Sequence, residues 1–141
     1  MPYLPKPDLA DLTAEEIDAK ANELNDKQKQ VKFAADVKTS QLRNVFSHIT
    51  SLRSDFRQAK QEGKLAGSDL PPGIERRLIL LKPKIAYAKG RKPKELKNFQ
   101  ELMFEAIDGV VNSKNKVLAL ENFFALMEAI VAYHKFHGGK E

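Results

Sequence analysis

Cysteine is absent from the 141-residue chain, which excludes disulfides and thiolate metal sites and suits a reducing compartment. No targeting signal is expected either. The opening "MPYLPKPDLA" has neither a basic head followed by an apolar run nor a small-residue cleavage site, and no apolar stretch of about 18 residues runs without a charge. A soluble, cytoplasmic protein without a membrane partner is expected. No segment alternates with the period of a strand, and no repeat is visible. Gly63, Gly67 and Gly73 do not form the GxxxxGK[ST] loop that cradles phosphates, and no strand precedes them. Nucleotide hydrolysis of that type is excluded.

Unevenly distributed charge is present instead. Residues 1–30 hold four basic and seven acidic side chains, and the remainder holds twenty and twelve. A basic body attracts phosphate-bearing partners or anionic surfaces, chiefly through encounter rate and nonspecific affinity. The densest stretch, "LKPKIAYAKGRKPKELK" at 81–97, has seven lysines and arginines against Glu95. It also keeps Leu81, Ile85 and Ala88 at helical spacing.

Periodicity predicts an all-α fold: a compact bundle of about five helices, one kinked at Pro83. Thr13 and Glu16 form the pattern of a capping box, so a short helix follows a proline-led acidic arm, with residues 1–38 read as one unit. Its thin apolar content leaves it dependent on docking. Leu42, Val45, Phe46, Ile49, Leu52 and Phe56 define a helix over 40–60, and "EGKLAGSDLPPG" ends it in a loop over 63–73. Ile74, Leu78, Leu81, Ile85 and Ala88 hold one register across Pro83, up to Gly90, a natural C-terminal cap. Further helices are expected over 94–111 and 115–136. The last is apolar over more than a surface stripe, so it is central or shared with another chain, and self-association through apolar helices is expected.

No active site assembles from these residues. His134 and His137 stand three apart but lack a third and fourth ligand, and His48 has no carboxylate neighbour in sequence; a helix C-terminus suits the first two without any metal. No enzyme, metal or cofactor is implied. The cations form a pattern. Arg77, Lys84 and Arg91 fall on one flank of the kinked helix at heptad spacing, and Lys82 and Lys89 fall on the other. On the preceding helix Arg43 and Arg57 point away from the apolar face, with Arg53 and Lys60 at its edge. Such rails can follow a polyphosphate backbone. Tyr87 can stack on a base, although a half-buried core tyrosine is the commoner case.

Three blocks, "TSQLRNVFSHI" from Thr39, "LKPKIAYAKGR" from Leu81 and "FFALMEAIVAYHKFHGGK" from Phe123, resemble the small helical subunit of type III-A CRISPR (Csm) effector complexes in their order and separations. The resemblance covers about residues 39–140 and leaves the first 38 outside it. It implies a compact helical protein without a catalytic site, present in several stacked copies. These lie beside the backbone subunits and the large polymerase-like subunit and contact guide RNA (crRNA) and target RNA. It points to Arg43, Lys82, Lys84, Lys89, Arg91 and Lys135 as RNA contacts; Arg53, Arg57 and Arg77 rest on the helical-face argument. His137 departs from the family tail, which often has an aromatic there. A subunit that accepts any guide must hold phosphates and leave sequence reading to base pairing. Two other readings stand beside this one. A helix-turn-helix domain with 74–90 as recognition helix would carry its donors on one exposed face, and here Pro83 interrupts them. A helical scaffold without RNA contact would use the charge for solubility alone.

Overall fold

Apolar phase sets the helices, and prolines and glycines set their ends. The computed structural model describes residues 3–25, 38–65, 67–91 and 93–136; the side chains of residues 39, 88–91 and 93–96 lie outside the description. A 3₁₀ turn at Leu9–Asp11 precedes α1 (Ala14–Asn25), α2 (Thr39–Gln61), α3 (Pro72–Ile79), α4 (Leu81–Arg91), α5 (Pro93–Val111) and α6 (Lys116–Phe136). Among the described residues there is no β-strand. With α3 and α4 taken as arms of one bent helix, the described residues form the five helices expected.

The bend lies at Leu80, one turn before Pro83. Inside a helix proline removes an amide donor, and its ring crowds the carbonyl four residues back, here that of Ile79. The chain therefore closes α3, with the Leu80 amide donating to the Arg76 carbonyl at 3.0 Å, and restarts at Leu81. Pro83 then sits where α4 needs no donor. One apolar face continues through both arms, with Ile74, Leu78, Leu81 and Ile85 buried.

Gly63 ends α2 with φ at +71°. The Gly63 amide bonds the Lys60 carbonyl at 3.2 Å and the Lys64 amide bonds that of Ala59 at 2.9 Å, the two bonds of a Schellman motif that a left-handed glycine permits. The loop returns to the core at Leu70, and its Ser68 carbonyl accepts from the Val117 amide at 3.1 Å.

By length and composition α6 could cross a membrane, yet its inward apolar residues are enclosed by the chain's own elements. The turn, α1, α2 and α5 all pack on it, and Ala119, Leu120, Phe123 and Leu126 have no exposure. The wide apolar face is thus that of a central helix. Exposed large apolar residues among those described are Ile79, Leu80, Tyr87, Leu118 and Phe136.

The acidic, proline-led segment packs into the same core. Leu4, Leu9, Leu12, Ile17, Ala21 and Leu24 are buried, and the capping box forms, with the Glu16 amide 3.1 Å from Thr13 Oγ1 and the Thr13 amide 3.0 Å from Glu16 Oε1. Asn25 is fully buried and its Nδ2 donates to the carbonyls of Ala21 and Ile130, both at 3.0 Å, tying α1 to α6. Residues 3–12 strap across α5: the amides of Tyr3 and Leu4 both donate to the Glu105 carboxylate at 2.8 Å. Gly109 makes the crossing possible, since a Cβ there would lie 2.2 Å from Leu9 Cδ1 and 2.8 Å from the Pro7 carbonyl. Overpacking costs about 1–3 kcal/mol, against roughly 1 kcal/mol that alanine gains over glycine inside a helix. Gly109→Ala is therefore expected to lower stability by about 1 kcal/mol and to expose the strap to protease, which limited proteolysis with a thermal melt would detect.

The strap has an alkaline limit. Burial first, and then the hydrogen bond to Glu101 and the charges of Glu101 and Glu105, push the Tyr3 hydroxyl up to about 12. It donates to Asn98 at 2.9 Å and to Glu101 at 3.1 Å. A raised pKa means the neutral, donating form is favoured in the folded chain. Its contribution is full below the ordinary tyrosine value near 10 and is lost as pH rises through about 12. Protease resistance of the strap is expected to hold to pH 10 and to fall between 10 and 12, and Tyr3→Phe should remove that step.

Candidate functional site

Charge separates by element. Residues 39–91 carry eleven lysines and arginines against four acids, whereas 93–136 carry five against six. The basic excess therefore lies on α2, α3 and α4, which contact one another, and the site is built from their exposed faces.

The fold divides the nine cations expected to touch RNA into three groups. Those of the first group are held by carboxylates of neighbouring helices. Arg77 on α3 pairs with Asp55 on α2 and donates to Ser51 Oγ at 3.1 Å. Lys82 on α4 lies 2.5 Å from Asp108 on α5 and 5.2 Å from the Phe104 ring centre, so its charge is spent on an ion pair and an aromatic face. Arg53 on α2 reaches Glu128 on α6 at 3.2 Å, and Lys60, outside the nine and two turns further along, reaches Glu121 at 2.7 Å. These pairs clamp α2 onto α3 and α6, and α4 onto α5. Being partly exposed, each contributes little stability alone, about 0–1 kcal/mol.

Arg43, Arg57, Lys84 and Lys135 form the second group: they are exposed and pair with no acid among the described residues. Arg76, not singled out from sequence, is in the same condition. The third group is Lys89 and Arg91, whose side chains lie outside the description. The straight rail of Arg77, Lys84 and Arg91 is divided by the break at Leu80, with Arg77 held on one arm and Lys84 open on the other. Tyr87, expected to be half-buried, is 71 % exposed. Ile85 takes the core side of α4, and a residue two positions on points nearly the opposite way.

Two concavities meet at Arg53 and Arg57. One, about 290 Å³, lies between α2 and α6, bounded by the Arg53–Glu128 and Lys60–Glu121 pairs with Phe56 and Phe124 at its base. The other, about 560 Å³, runs along the outer side of α2 and is lined by Thr50, Arg53, Ser54, Arg57, Gln58 and Gln61. Arg57 stands in the wall between them as the cation without a carboxylate. A surface of this kind offers fixed donors and positive charge to an anion. His48 is exposed, His134 is 1 % exposed within the core, and His137 lies outside the described residues. Among the described residues no three His, Asp or Glu side chains gather in a metal-binding group.

The neutral donors of α2 escaped the sequence reading. The signal was present in the near absence of acid from that helix, where Asp55 is the sole carboxylate in 23 residues. A family model described as Csm2 Type III-A matches residues 11–140, a span that takes in α1 as well as the three blocks from Thr39 onward. No curated protein and no solved structure matches the chain.

Proposed function

Since the chain belongs to the Csm2 Type III-A family, and so is a small subunit of the Csm complex of type III-A CRISPR defence, we propose that it holds guide and target RNA there by their backbones and carries out no catalysis. One observation carries the RNA contact: Arg43, Arg57 and Lys84 stand exposed without acid partners on the elements that hold the basic excess. Nucleic acid affinity arises mainly from neutralised phosphates, and phosphate contacts carry no base information. Open cations therefore suit a subunit that must accept every guide sequence. Copies stack along the complex in the cytoplasm beside the backbone and large subunits. Ile79, Leu80 and Tyr87 on the α3–α4 bend supply exposed apolar surface for such neighbours.

The test is co-expression with the other Csm subunits and a guide. The chain is expected to purify with them and with crRNA, and to protect bound target RNA from nuclease. Charge reversal of Arg43, Arg57 and Lys84 should keep the protein subunits together and lose the protection. The purified chain should leave RNA and ATP intact. Turnover that follows the chain and disappears with a point substitution, or full protection by the reversed variant, would overturn the reading.

A further inference from the structure

Resting on that RNA-holding reading, we propose that the outer face of α2 recognises ribose: Thr50 and Ser54 bond the 2′-hydroxyls of an A-form RNA duplex while Arg43 and Arg57 hold its phosphates. Two adjacent files run along this face, each stepping by seven residues. One is Arg43, Thr50 and Arg57, and the other is Ser47, Ser54 and Gln61; all six are exposed. Positions seven apart lie about 10.5 Å apart along a helix, so Arg43 and Arg57 bracket a strip of roughly 21 Å.

The strip presents no free carboxylate. Asp55 is held by Arg77, and Glu62 just beyond the helix is held by Lys64 at 3.0 Å and by Gln58. Ser47 Oγ donates to the Asn44 carbonyl at 2.8 Å, whereas Thr50 and Ser54 bond nothing among the described residues and open into the outer trough.

A surface meant only for phosphate needs donors, which lysine and arginine supply. Hydroxyls both donate and accept, as a 2′-hydroxyl does, and this two-way matching distinguishes RNA from DNA. Neither file carries an aromatic side chain: Phe46 is half-buried, Phe56 is buried, and the exposed His48 stands two positions from Thr50 and so points nearly the opposite way; splayed single-strand bases would have no ring on this strip to stack on. Shape argues the same way. The minor groove of A-form RNA is wide and shallow and lined with 2′-hydroxyls, whereas that of B-DNA, about 6 Å wide, is too narrow for a helix about 10–12 Å across.

The experiment uses the full chain and fluorescence anisotropy with three duplexes of one sequence and length: all-ribose RNA, 2′-fluoro RNA, which stays A-form but cannot donate, and DNA. The parent is expected to bind ribose most tightly, then 2′-fluoro, then DNA. Thr50→Val with Ser54→Ala should weaken ribose binding by roughly tenfold, down to the 2′-fluoro level, and leave 2′-fluoro binding unmoved. Arg43→Gln with Arg57→Gln should weaken all three. A parent that binds ribose and 2′-fluoro duplexes equally, or a hydroxyl variant that keeps the parent's preference, overturns the ribose assignment while the RNA-holding reading stands. An arginine variant that binds every duplex like the parent, or a parent that binds no RNA, overturns both. Circular dichroism checks that helicity is unchanged, as expected for exposed positions.

Discussion

Reversing the charge of Arg43, Arg57 and Lys84 together is expected to lower RNA affinity about a thousandfold, roughly tenfold per lost charge-assisted contact. The three are exposed and without acid partners, so each positive charge is available to phosphate at no cost in broken ion pairs. Nonspecific affinity for the free subunit lies near 10⁻⁴ to 10⁻⁶ M in order of magnitude. The reversed variant should therefore show no binding at physiological salt. The loss should be the same for unrelated sequences, because phosphates carry no sequence information. Thermal stability should barely move, since surface substitutions away from packed or paired groups stay within about 0.5 kcal/mol. Electrophoretic mobility shift with several unrelated RNAs, beside a melt, checks both parts.

Phe123→Ala is expected to cost about 3–5 kcal/mol, a large share of the roughly 5–15 kcal/mol of an ordinary domain. Phe123 has no exposure and its ring meets Phe124 edge-on at 5.9 Å, while Phe124 in turn meets Phe56 of α2 at 5.9 Å. The side chain lies on the central helix, where α1, α2 and α5 converge, so truncation leaves a cavity that rigid neighbours fill only partly. Phe136→Ala removes the same side chain from a position 76 % exposed, where it keeps an edge contact with the Tyr133 ring at 6.2 Å, and should cost about 1 kcal/mol or less. Urea denaturation of the two variants separates burial from residue type.

The helices were legible because an apolar face repeats every three or four residues. The helix expected over 40–60 is α2 at Thr39–Gln61, and that expected over 115–136 is α6 at Lys116–Phe136. Pro83 announced a break, but its ring acts on the carbonyl four residues earlier, which moved the bend to Leu80. The role of residues 3–12 was hidden. Three prolines in the first nine residues read as an arm, and the Glu105 carboxylate that fixes Tyr3 and Leu4 lies about a hundred positions away.

The candidate site was half legible for a similar reason. Sequence shows which helix face a cation takes, and Arg43, Arg57 and Lys84 were placed correctly as exposed. It does not show which acid a fold brings near. Arg77 and Lys82 meet acids 22 and 26 positions away, and Arg53 meets one 75 away. Those pairings turned three of the cations expected to touch RNA into clamps between helices. The neutral donors beside Arg57 carry no charge or apolar pattern that would single them out in a sequence.

The central claim is that partnerless cations, not net charge, hold RNA, and one comparison tests it most directly. Arg43, Arg57 and Lys84 are changed together to glutamine in one variant, and Arg53, Arg77 and Lys82 in another, so that both lose the same charge. The dependence of log affinity on log salt is then measured for parent and variants with unrelated single-stranded RNAs. The first variant is expected to flatten the slope by about 0.7 per lost contact, about 2 in all, and to bind weakly, while the second keeps a slope close to the parent's. Equal losses of slope and affinity in the two variants would contradict the account, because binding would then follow the total charge of the chain and not the open cations.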